Sequence, residues 1–255
     1  MTTNRDVFNT LCELAPLSLQ MGFDNAGFQL GHLDAPVSRV LLALDVTDAV
    51  VQEAAELGAE LIVSHHPLIF HPVKSLSDGD PATARLLRLA EQRIAVISMH
   101  TNLDIVDGGV NDVLMRLLGA ETEGALDADG CGRIGRLPAA LTMEAFLALC
   151  AERLGGHGLR YVDAGRPVQR IAVMGGSGGD AVEQAFRLGC DTYLTADVKY
   201  HEFQRAAELG VNLIDGDHFC TENPVIADLQ NRLSARLPEL SVVCSQRHGQ
   251  LIRFA

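Results

Sequence analysis

Polar side chains, most of them of types that bind metal ions, follow several apolar, strand-like segments of this chain. They are His65 and His66 after LIVS, His100 and Asp104 after IAVISM, Asp197, Lys199 and His201 after TYLTA, and His218 and Glu222 after VNLIDGD. In parallel α/β sheets, ligands gather just past the carboxyl ends of the strands. Imidazole and carboxylate together suit zinc, iron or manganese better than calcium. The sequence therefore predicts a metal site at these strand ends.

The adjacent histidines favour two metal ions over one. Within a strand, His65 and His66 would point to opposite faces, and at its end they approach one cleft but would rarely chelate the same ion. Glu222 has two carboxylate oxygens and can bridge ions roughly 3.5–4 Å apart. It follows His218 by four residues, and if Thr221 or Asn223 opens a helix, the two share a face at its first turn. Pro224 favours such a helix start.

A single histidine after a strand is more often a loop or hydrogen-bonding residue than a ligand. His32, His71, His157 and His248 are interpreted in that way. At the strand ends named above, several such residues occur together, and this clustering favours metal ligands over isolated loop residues. The predicted ligands of the two divalent cations are His65, His66, Asp104, His218 and Glu222.

Three further side chains are candidates for catalysis. His100 or His201 could carry a proton, and Lys199 could bind an anionic substrate or assist proton transfer. An ion pair with surface acids is the alternative for Lys199. Asp45, after the first strand of the repeat described next, is a candidate to orient a ligand. Cys220 has no adjacent general base and is interpreted as a packing residue.

The elements that position these residues form an internal repeat. Residues 39–67 and 170–198 resemble each other without a gap at an offset of 170 − 39 = 131. Each segment reads as an apolar strand, a loop, an amphipathic helix ending in Leu-Gly and a second apolar strand. Apolar strands on both sides of a helix indicate parallel strands covered by helices. Similar βαβ units can also arise without duplication, but the ungapped register favours a true repeat.

The predicted fold class is therefore α/β, with two similar, duplicated lobes and mostly parallel sheets. The predicted domains are residues 1–125, with His65, His66 and Asp104, and residues 126–255, with Asp197, Lys199, His218 and Glu222. Their join is expected in the acidic, Gly-rich stretch near 119–135. A C-terminal segment that packs back on the first lobe is compatible with this division. The metal site is expected at the strand ends, in the cleft between the lobes.

Composition excludes some classes of function. The formal net charge of −13 argues against nucleic-acid binding, which needs a basic face. No apolar run reaches the roughly 18 residues of a membrane span, and the first residues lack a secretory pattern. The six cysteines are scattered and form no CxxC pair, which is typical of free thiols in a reducing compartment. The expected location is the cytoplasm.

The order of motifs resembles one known family, the dinuclear-metal-centre proteins called GTP cyclohydrolase 1 type 2 homologues. The matching segments are FDNAGFQLG (23–31), ALDVT (43–47), SHHPLIF (64–70), HTNLDIVDGGVND (100–112), TADVKYHE (195–202) and DHFCTE (217–222). The resemblance covers nearly the whole chain. It implies the same five metal ligands, two similar α/β lobes, and a ring-shaped homohexamer whose sites face an inner cavity.

Two positions depart from the family pattern. Phe23 stands where the family usually has Trp, which is interpreted as a packing change. Asp217 stands where the family commonly has Gly, directly before the ligand His218. A carboxylate at this position is expected to orient His218 or to approach a metal itself.

The leading functional interpretation is a metal-dependent hydrolase of a small, anionic, heterocyclic or phosphorylated substrate. The alternative is a non-catalytic metal-binding or scaffold protein, in which protein ligands saturate the ions. A third interpretation rests on the Gly-rich loop Met174–Ala181, which lies between a strand and a helix as dinucleotide-binding turns do. The aligned segment of the other repeat lacks those glycines, so a close-packed turn is the simpler interpretation.

Overall fold

The computed structural model describes residues 1–155 and 158–253, so the interpretation of His157 lies outside the described residues. The helices are α1 (Asn4–Leu14), α2 (Asp48–Leu57), α3 (Pro81–Glu91), α4 (Thr101–Ile105), α5 (Val110–Leu117), α6 (Met143–Leu154), α7 (Val182–Arg187), α8 (Tyr200–Leu209), α9 (His218–Glu222) and α10 (Pro224–Arg236). The strands are β1 (Gly27–Leu30), β2 (Arg39–Ala43), β3 (Leu61–Ser64), β4 (Ala95–Ser98), β5 (Glu121–Ala125), β6 (Arg133–Leu141), β7 (Arg160–Val162), β8 (Val168–Ser177), β9 (Thr192–Ala196), β10 (Asn212–Asp215) and β11 (Ser241–Cys244).

The chain divides into two compact units. Unit 1 comprises 1–106 and 226–249, and unit 2 comprises 107–225 and 250–255. The sequence placed the boundary at 125/126, directly after β5. In the structure β5 pairs with β6 and belongs to unit 2. β5 is an exposed strand of acidic and small residues, so it lacks the apolar alternation that marks a strand in sequence.

Unit 1 contains a sheet in the order β1-β4-β3-β2-β11. β4, β3, β2 and β11 are parallel to their neighbours, and β1 is an antiparallel edge strand. β3 and β4 are buried along their whole length, as strands covered on both faces must be. The carboxyl ends of β2, β3 and β4 therefore meet at one edge of this sheet.

Unit 2 contains a mixed sheet in the order β5-β6-β8-β9-β10-β7. The central strands β8, β9 and β10 are parallel, and the flanking strands are antiparallel to their neighbours. The α/β class is thus confirmed, with more antiparallel pairing in unit 2 than the sequence predicted. The core of this unit is built from buried aliphatic, methionine and phenylalanine side chains on α5, α6 and the strands.

Both segments of the predicted repeat have the expected local structure. In unit 1, β2, α2 and β3 form a parallel strand–helix–strand, and α2 ends at Gly58 with a φ of 64°. In unit 2, β8, α7 and β9 do the same, and Gly189 follows with a φ of 76°. Such left-handed positions favour glycine, which has no Cβ to clash. In residues 1–155 and 158–253, no helix has the length and apolar character needed to cross a bilayer.

Candidate metal centre

Unit 1 gathers three histidines at the carboxyl ends of β3 and β4. His65 and His66 follow β3 directly, and His100 lies between β4 and α4. One ring nitrogen from each of His65, His66 and His100 lies within 4.8 Å of the others. Backbone bonds from His65 N to Ala43 O (3.3 Å) and from His66 N to Leu44 O (2.9 Å) fix the chain where β3 ends. The sheet edge therefore determines the spacing of the rings.

Asp104 completes this group. It lies on α4, the short helix that begins one residue after His100. Its Oδ1 is 3.6 Å from Nε2 of His65, and both residues are buried, at 8% and 1% exposure. A buried imidazole nitrogen facing a buried carboxylate oxygen is a suitable pair of ligands for a cation.

The Nδ1 atom of every histidine in these groups faces an acceptor. His65 Nδ1 donates to the carbonyl of Met99 at 2.8 Å, and the three other Nδ1 atoms face carboxylates. These are His66 with Asp45 (2.7 Å), His100 with Asp24 (2.7 Å) and His218 with Asp197 (2.8 Å). A carbonyl or carboxylate can only accept, so Nδ1 carries the proton. In the neutral rings the lone pair then lies on Nε2, as in proteins whose histidines bind metal.

Asp24 and Asp45 are held in their charged forms by these contacts. Burial works to raise the pKa of Asp24, but hydrogen bonds from His100 and Thr101 outweigh it and hold the pKa at about 2. Burial likewise opposes ionisation of Asp45, and hydrogen bonds from His248 and His66 overcome it and lower the pKa of that carboxyl. Both carboxylates stay ionised at neutral pH and orient the rings in front of them.

His248 was interpreted from sequence as an ordinary loop residue, and the structure places it beside Asp45. Its Nε2 donates to Oδ2 of Asp45 at 3.2 Å, and its side chain is 5% exposed. The segment before it is held by buried Glu53, which accepts hydrogen bonds from Ser245, Gln246 N and Arg247 N. A buried glutamate on α2 thus anchors the chain that carries His248. Asp45 and His248 are 203 positions apart in the chain, which explains why no local pattern revealed this contact.

Unit 2 carries the second pair of predicted ligands on α9. His218 and Glu222 are the first and last residues of this helix. Nε2 of His218 lies 3.0 Å from Oε2 of Glu222, and Glu222 is 4% exposed. The helix begins at His218 itself, and α10 starts separately at Pro224. His218 and Glu222 therefore share a face of α9, a separate short helix that begins before the helix start expected at Thr221 or Asn223.

The Gly-rich loop of unit 2 makes room for Glu222. A Cβ on Gly176 would lie 2.1 Å from Oε1 of Glu222, and Gly176 has a φ of 67°. Gly176 N donates to Oγ1 of Thr221 at 3.0 Å. Gly179 is equally restricted, since a Cβ there would lie 2.1 Å from Oε2 of Glu202. The close-packed turn, rather than a dinucleotide loop, is the structure found here.

Asp217 does not have the role that the sequence suggested. Its Oδ1 accepts from Cys220 N at 3.1 Å, so it caps α9, and it also accepts from the side chain of Gln250. The carboxylate that orients His218 is Asp197. Asp217 has a φ of 71° and a ψ of 136°, a region that favours glycine. Glycine would adopt this backbone conformation without strain.

Lys199 and His201 lie at the start of α8. Lys199 is exposed, with Nζ 3.9 Å from Oε1 of Glu202, so it contacts a buried acid rather than the surface acids considered as the alternative. His201 is exposed and lines a surface cleft with Arg187 and Arg205. Burial, followed by the charge of Asp217, raises the pKa of the Cys220 thiol to about 11, so this cysteine is not a thiolate nucleophile at neutral pH.

The donor set fits a divalent transition-metal cation. Each unit presents imidazole nitrogen beside carboxylate oxygen, with the imidazoles oriented from behind by acceptors. These hard and borderline ligands suit zinc, iron and manganese. The described residues thus contain His and carboxylate groups able to bind a metal ion.

Comparisons with known proteins identify the family of this chain. Residues 2–250 match the family described as Duf34/NIF3 (NGG1p interacting factor 3). A Clostridium perfringens protein named GTP cyclohydrolase 1 type 2 homolog is 35% identical over 239 residues, covering 91% of each chain. A Nostoc protein of the same name is 40% identical over 207 residues, covering 77% of each.

A solved structure supports the same relationship. The Bacillus cereus protein related to NIF3 is 25% identical, with a TM-score of 0.90 over 100% of this chain and 99% of its own. The profile match, the identities and the shared fold all extend over most of the chain. This chain belongs to the Duf34/NIF3 family.

Proposed function

We propose that this protein is a cytoplasmic, metal-dependent hydrolase that binds two divalent cations through His65, His66, Asp104, His218 and Glu222. Its substrate would be a small anionic molecule with a heterocyclic or phosphorylated group. The observation that carries the proposal is the set of Nδ1 contacts. In His65, His66 and His218 alike, the acceptor at Nδ1 leaves on Nε2 the lone pair that a metal ligand needs. Metal-binding histidines have such acceptors behind the ring, because the acceptor fixes both the tautomer and the orientation of the imidazole.

The relatives supply the first reaction to test. Their name, GTP cyclohydrolase 1 type 2 homolog, points to hydrolytic opening of the guanine ring of GTP. The name supports a substrate with a planar ring and a polyanionic group. It does so by family likeness, since one fold can host several chemistries.

The chain's own residues have separable parts in such a reaction. Bound divalent cations supply Lewis-acid activation of water and of the bond under attack. Asp45 orients His66 and Asp197 orients His218, so that both imidazoles would bind those cations in fixed positions. His100 presents Nε2 on the side away from Asp24 and is the best placed of the candidate proton carriers, since its ring lies 5.2 Å from that of His65.

Lys199 and His201 have a smaller part in this proposal. The exposed Lys199 side chain pairs with Glu202, and a role with an anionic substrate would require it to leave that partner. His201 lines a cleft with two arginines. Variants of Lys199 and His201 are therefore expected to change KM more than kcat, because they could contact only the substrate's charge.

The test combines metal analysis with turnover. Wild-type protein, His65→Ala and the control His32→Ala are loaded with zinc, iron or manganese, and bound metal and hydrolysis of GTP and of phosphoesters are measured. His32 is an exposed histidine of the same unit, so its variant should match the wild type. His65→Ala should lose metal and at least tenfold in kcat/KM.

Two outcomes would contradict the proposal. Hydrolysis that persists unchanged in His65→Ala would show that activity does not arise at this site. Two bound ions per chain without turnover of any substrate would favour the metal-binding or scaffold alternative.

We extend the proposal to a homohexameric assembly, which rests on the family resemblance. Light scattering coupled to size-exclusion chromatography should then give a mass near six times the 27.4 kDa of one chain. A monomeric mass would contradict it.

A further inference from the structure

Two exposed aromatic rings lie together in unit 1. Phe23 is 65% exposed and Phe70 is 39% exposed. Their ring centroids are 6.4 Å apart with an interplanar angle of 61°. The sequence interpretation of Phe23 as a packing residue is therefore wrong, because most of its ring surface faces solvent. Exposed phenylalanines that contact each other need a reason beyond the stability of the core.

The pair lies beside the histidine cluster. The ring of Phe70 is 6.1 Å from that of His100 at an angle of 85°. His100 in turn lies 5.2 Å from His65 and 5.7 Å from His66, measured between ring centroids. A molecule resting on the two phenylalanines would thus have part of its length at the candidate ligands.

Hydrogen bonds hold the loops that carry the two rings. Asp24, next to Phe23, accepts from Nδ1 of His100 at 2.7 Å and from Thr101 N at 3.0 Å. Ile69, next to Phe70, accepts from Asn25 Nδ2 through its carbonyl and donates from its N–H to Oε1 of Gln29 at 3.2 Å. The two loops are therefore fastened to each other and to His100. A ligand that binds there therefore loses little binding free energy to the ordering of these loops.

The rings also leave room for a third ring. Phe23 and Phe70 meet edge to face, so neither ring covers the other as a stacked partner would. Base–aromatic stacking is tolerant of the exact heterocycle, since every planar base has a π-face. The loop between β3 and α3 that carries Phe70 also carries Lys74, which is its one Lys or Arg residue.

We propose that Phe23 and Phe70 form a stacking platform for the planar heterocyclic ring of the substrate. The platform places that ring beside His65, His66 and His100, where the reaction would occur. This inference rests on the proposed function for the identity of the site, and it names the part of the substrate that the site recognises. The expected ligand is a purine-like ring bearing an anionic group.

Binding measurements test the platform without depending on turnover. Calorimetric titration of the full-length protein, with and without manganese, compares GTP, ATP and flavin mononucleotide with inorganic triphosphate, which has no ring. The variants are Phe23→Ala and Phe23→Trp, and the control is Leu76→Ala, another exposed apolar residue of the same unit (59% exposed). Because Phe23 is mostly solvent-exposed, its replacement should leave the fold intact, which circular dichroism checks.

The expected result separates ring from phosphate. Phe23→Ala should weaken binding of at least one ring-bearing probe about tenfold and leave triphosphate binding unchanged. Phe23→Trp should restore or tighten that binding, and Leu76→Ala should match the wild type. If these binding effects are observed but GTP is not hydrolysed, the proposed function is overturned and the stacking platform is not.

Three results would overturn the platform. The first is wild-type protein that binds no ring-bearing probe more tightly than triphosphate. The second is an equal loss of nucleotide and triphosphate affinity in Phe23→Ala. The third is a Phe23→Ala variant with unchanged nucleotide affinity and an altered oligomeric mass, which would assign the rings to an interface between copies of this chain.

Discussion

Oδ1 of Asp45 lies 2.7 Å from Nδ1 of His66, and the other oxygen of the same carboxylate accepts from His248. One carboxylate therefore connects a predicted metal ligand to the C-terminal segment of unit 1. The same carboxylate determines which nitrogen of His66 carries the proton. Residues that never touch a metal can change its affinity through such contacts.

Replacing Asp45 should weaken metal binding at His66. In Asp45→Asn the amide can donate as well as accept, so the Nδ1–H form of His66 loses its fixed preference. We expect the Kd for manganese or zinc to rise roughly 10–100-fold, measured by calorimetry. His248→Ala should show a smaller rise, and His248→Gln, which keeps a donor, should restore most of it. If all three variants bound the metal as tightly as the wild type, this role of Asp45 would be contradicted.

Asp24 should contribute a pH-dependent stability. Its pKa falls from 3.8 to about 2 in the folded chain, so the stabilising effect is complete above pH 3.8 and disappears as pH falls through about 2. The shift corresponds to a difference in unfolding free energy on the order of 1–2 kcal/mol between wild type and Asp24→Asn at pH 6. Urea unfolding from pH 6 to pH 2.5 should show this gap closing.

The control for that measurement is Asp34→Asn. Asp34 also has a lowered pKa, caused by its hydrogen bond to Arg5, but it is fully exposed. Solvent and salt screen such a pair, so its gap should be smaller at every pH. A gap for Asp24→Asn that stays constant down to pH 2.5 would show that the carboxylate is not ionised against its partners.

Gly176→Ala should damage the site more than the fold. The new methyl would lie 2.1 Å from Oε1 of Glu222, so the carboxylate must move. Gly210→Ala is the matched control, because it has a similar φ of 69° and nothing within 4 Å of the added Cβ. Both variants should lose about 1 kcal/mol of stability from the left-handed backbone. Only Gly176→Ala should lose at least tenfold in metal affinity, and equal metal affinity in both would argue against a ligand role for Glu222.

Asp217 offers a test of backbone strain. Asp217→Gly removes the helix cap but relieves a φ of 71°, and these effects oppose each other, so we expect stability within about 1 kcal/mol of wild type. Asp217→Ala loses the cap and keeps the strain, and should be destabilised by about 1–2 kcal/mol. Thermal or urea unfolding compares the two. An alanine variant as stable as the glycine variant would mean that the backbone at 217 is not strained.

Much of the candidate site follows from local patterns in the chain. The apolar runs LIVS and IAVISM became buried parallel strands, and the ligands were predicted simply because they follow such strands. Leu-Gly marked the end of α2, since a helix stops where the backbone turns left-handed. These signals depend on a few neighbouring residues, and a sequence displays neighbours directly.

The tertiary structure decided everything that depends on residues far apart in the chain. The carboxylate behind His100 comes from 76 residues away, and the histidine behind Asp45 from 203. The exposure of Phe23, the φ of Asp217 and the inclusion of 226–249 in unit 1 have no local signature either. Periodicity reports which face of an element is apolar, whereas a hydrogen bond between distant loops forms only after the strands have brought their ends to one edge of the sheet.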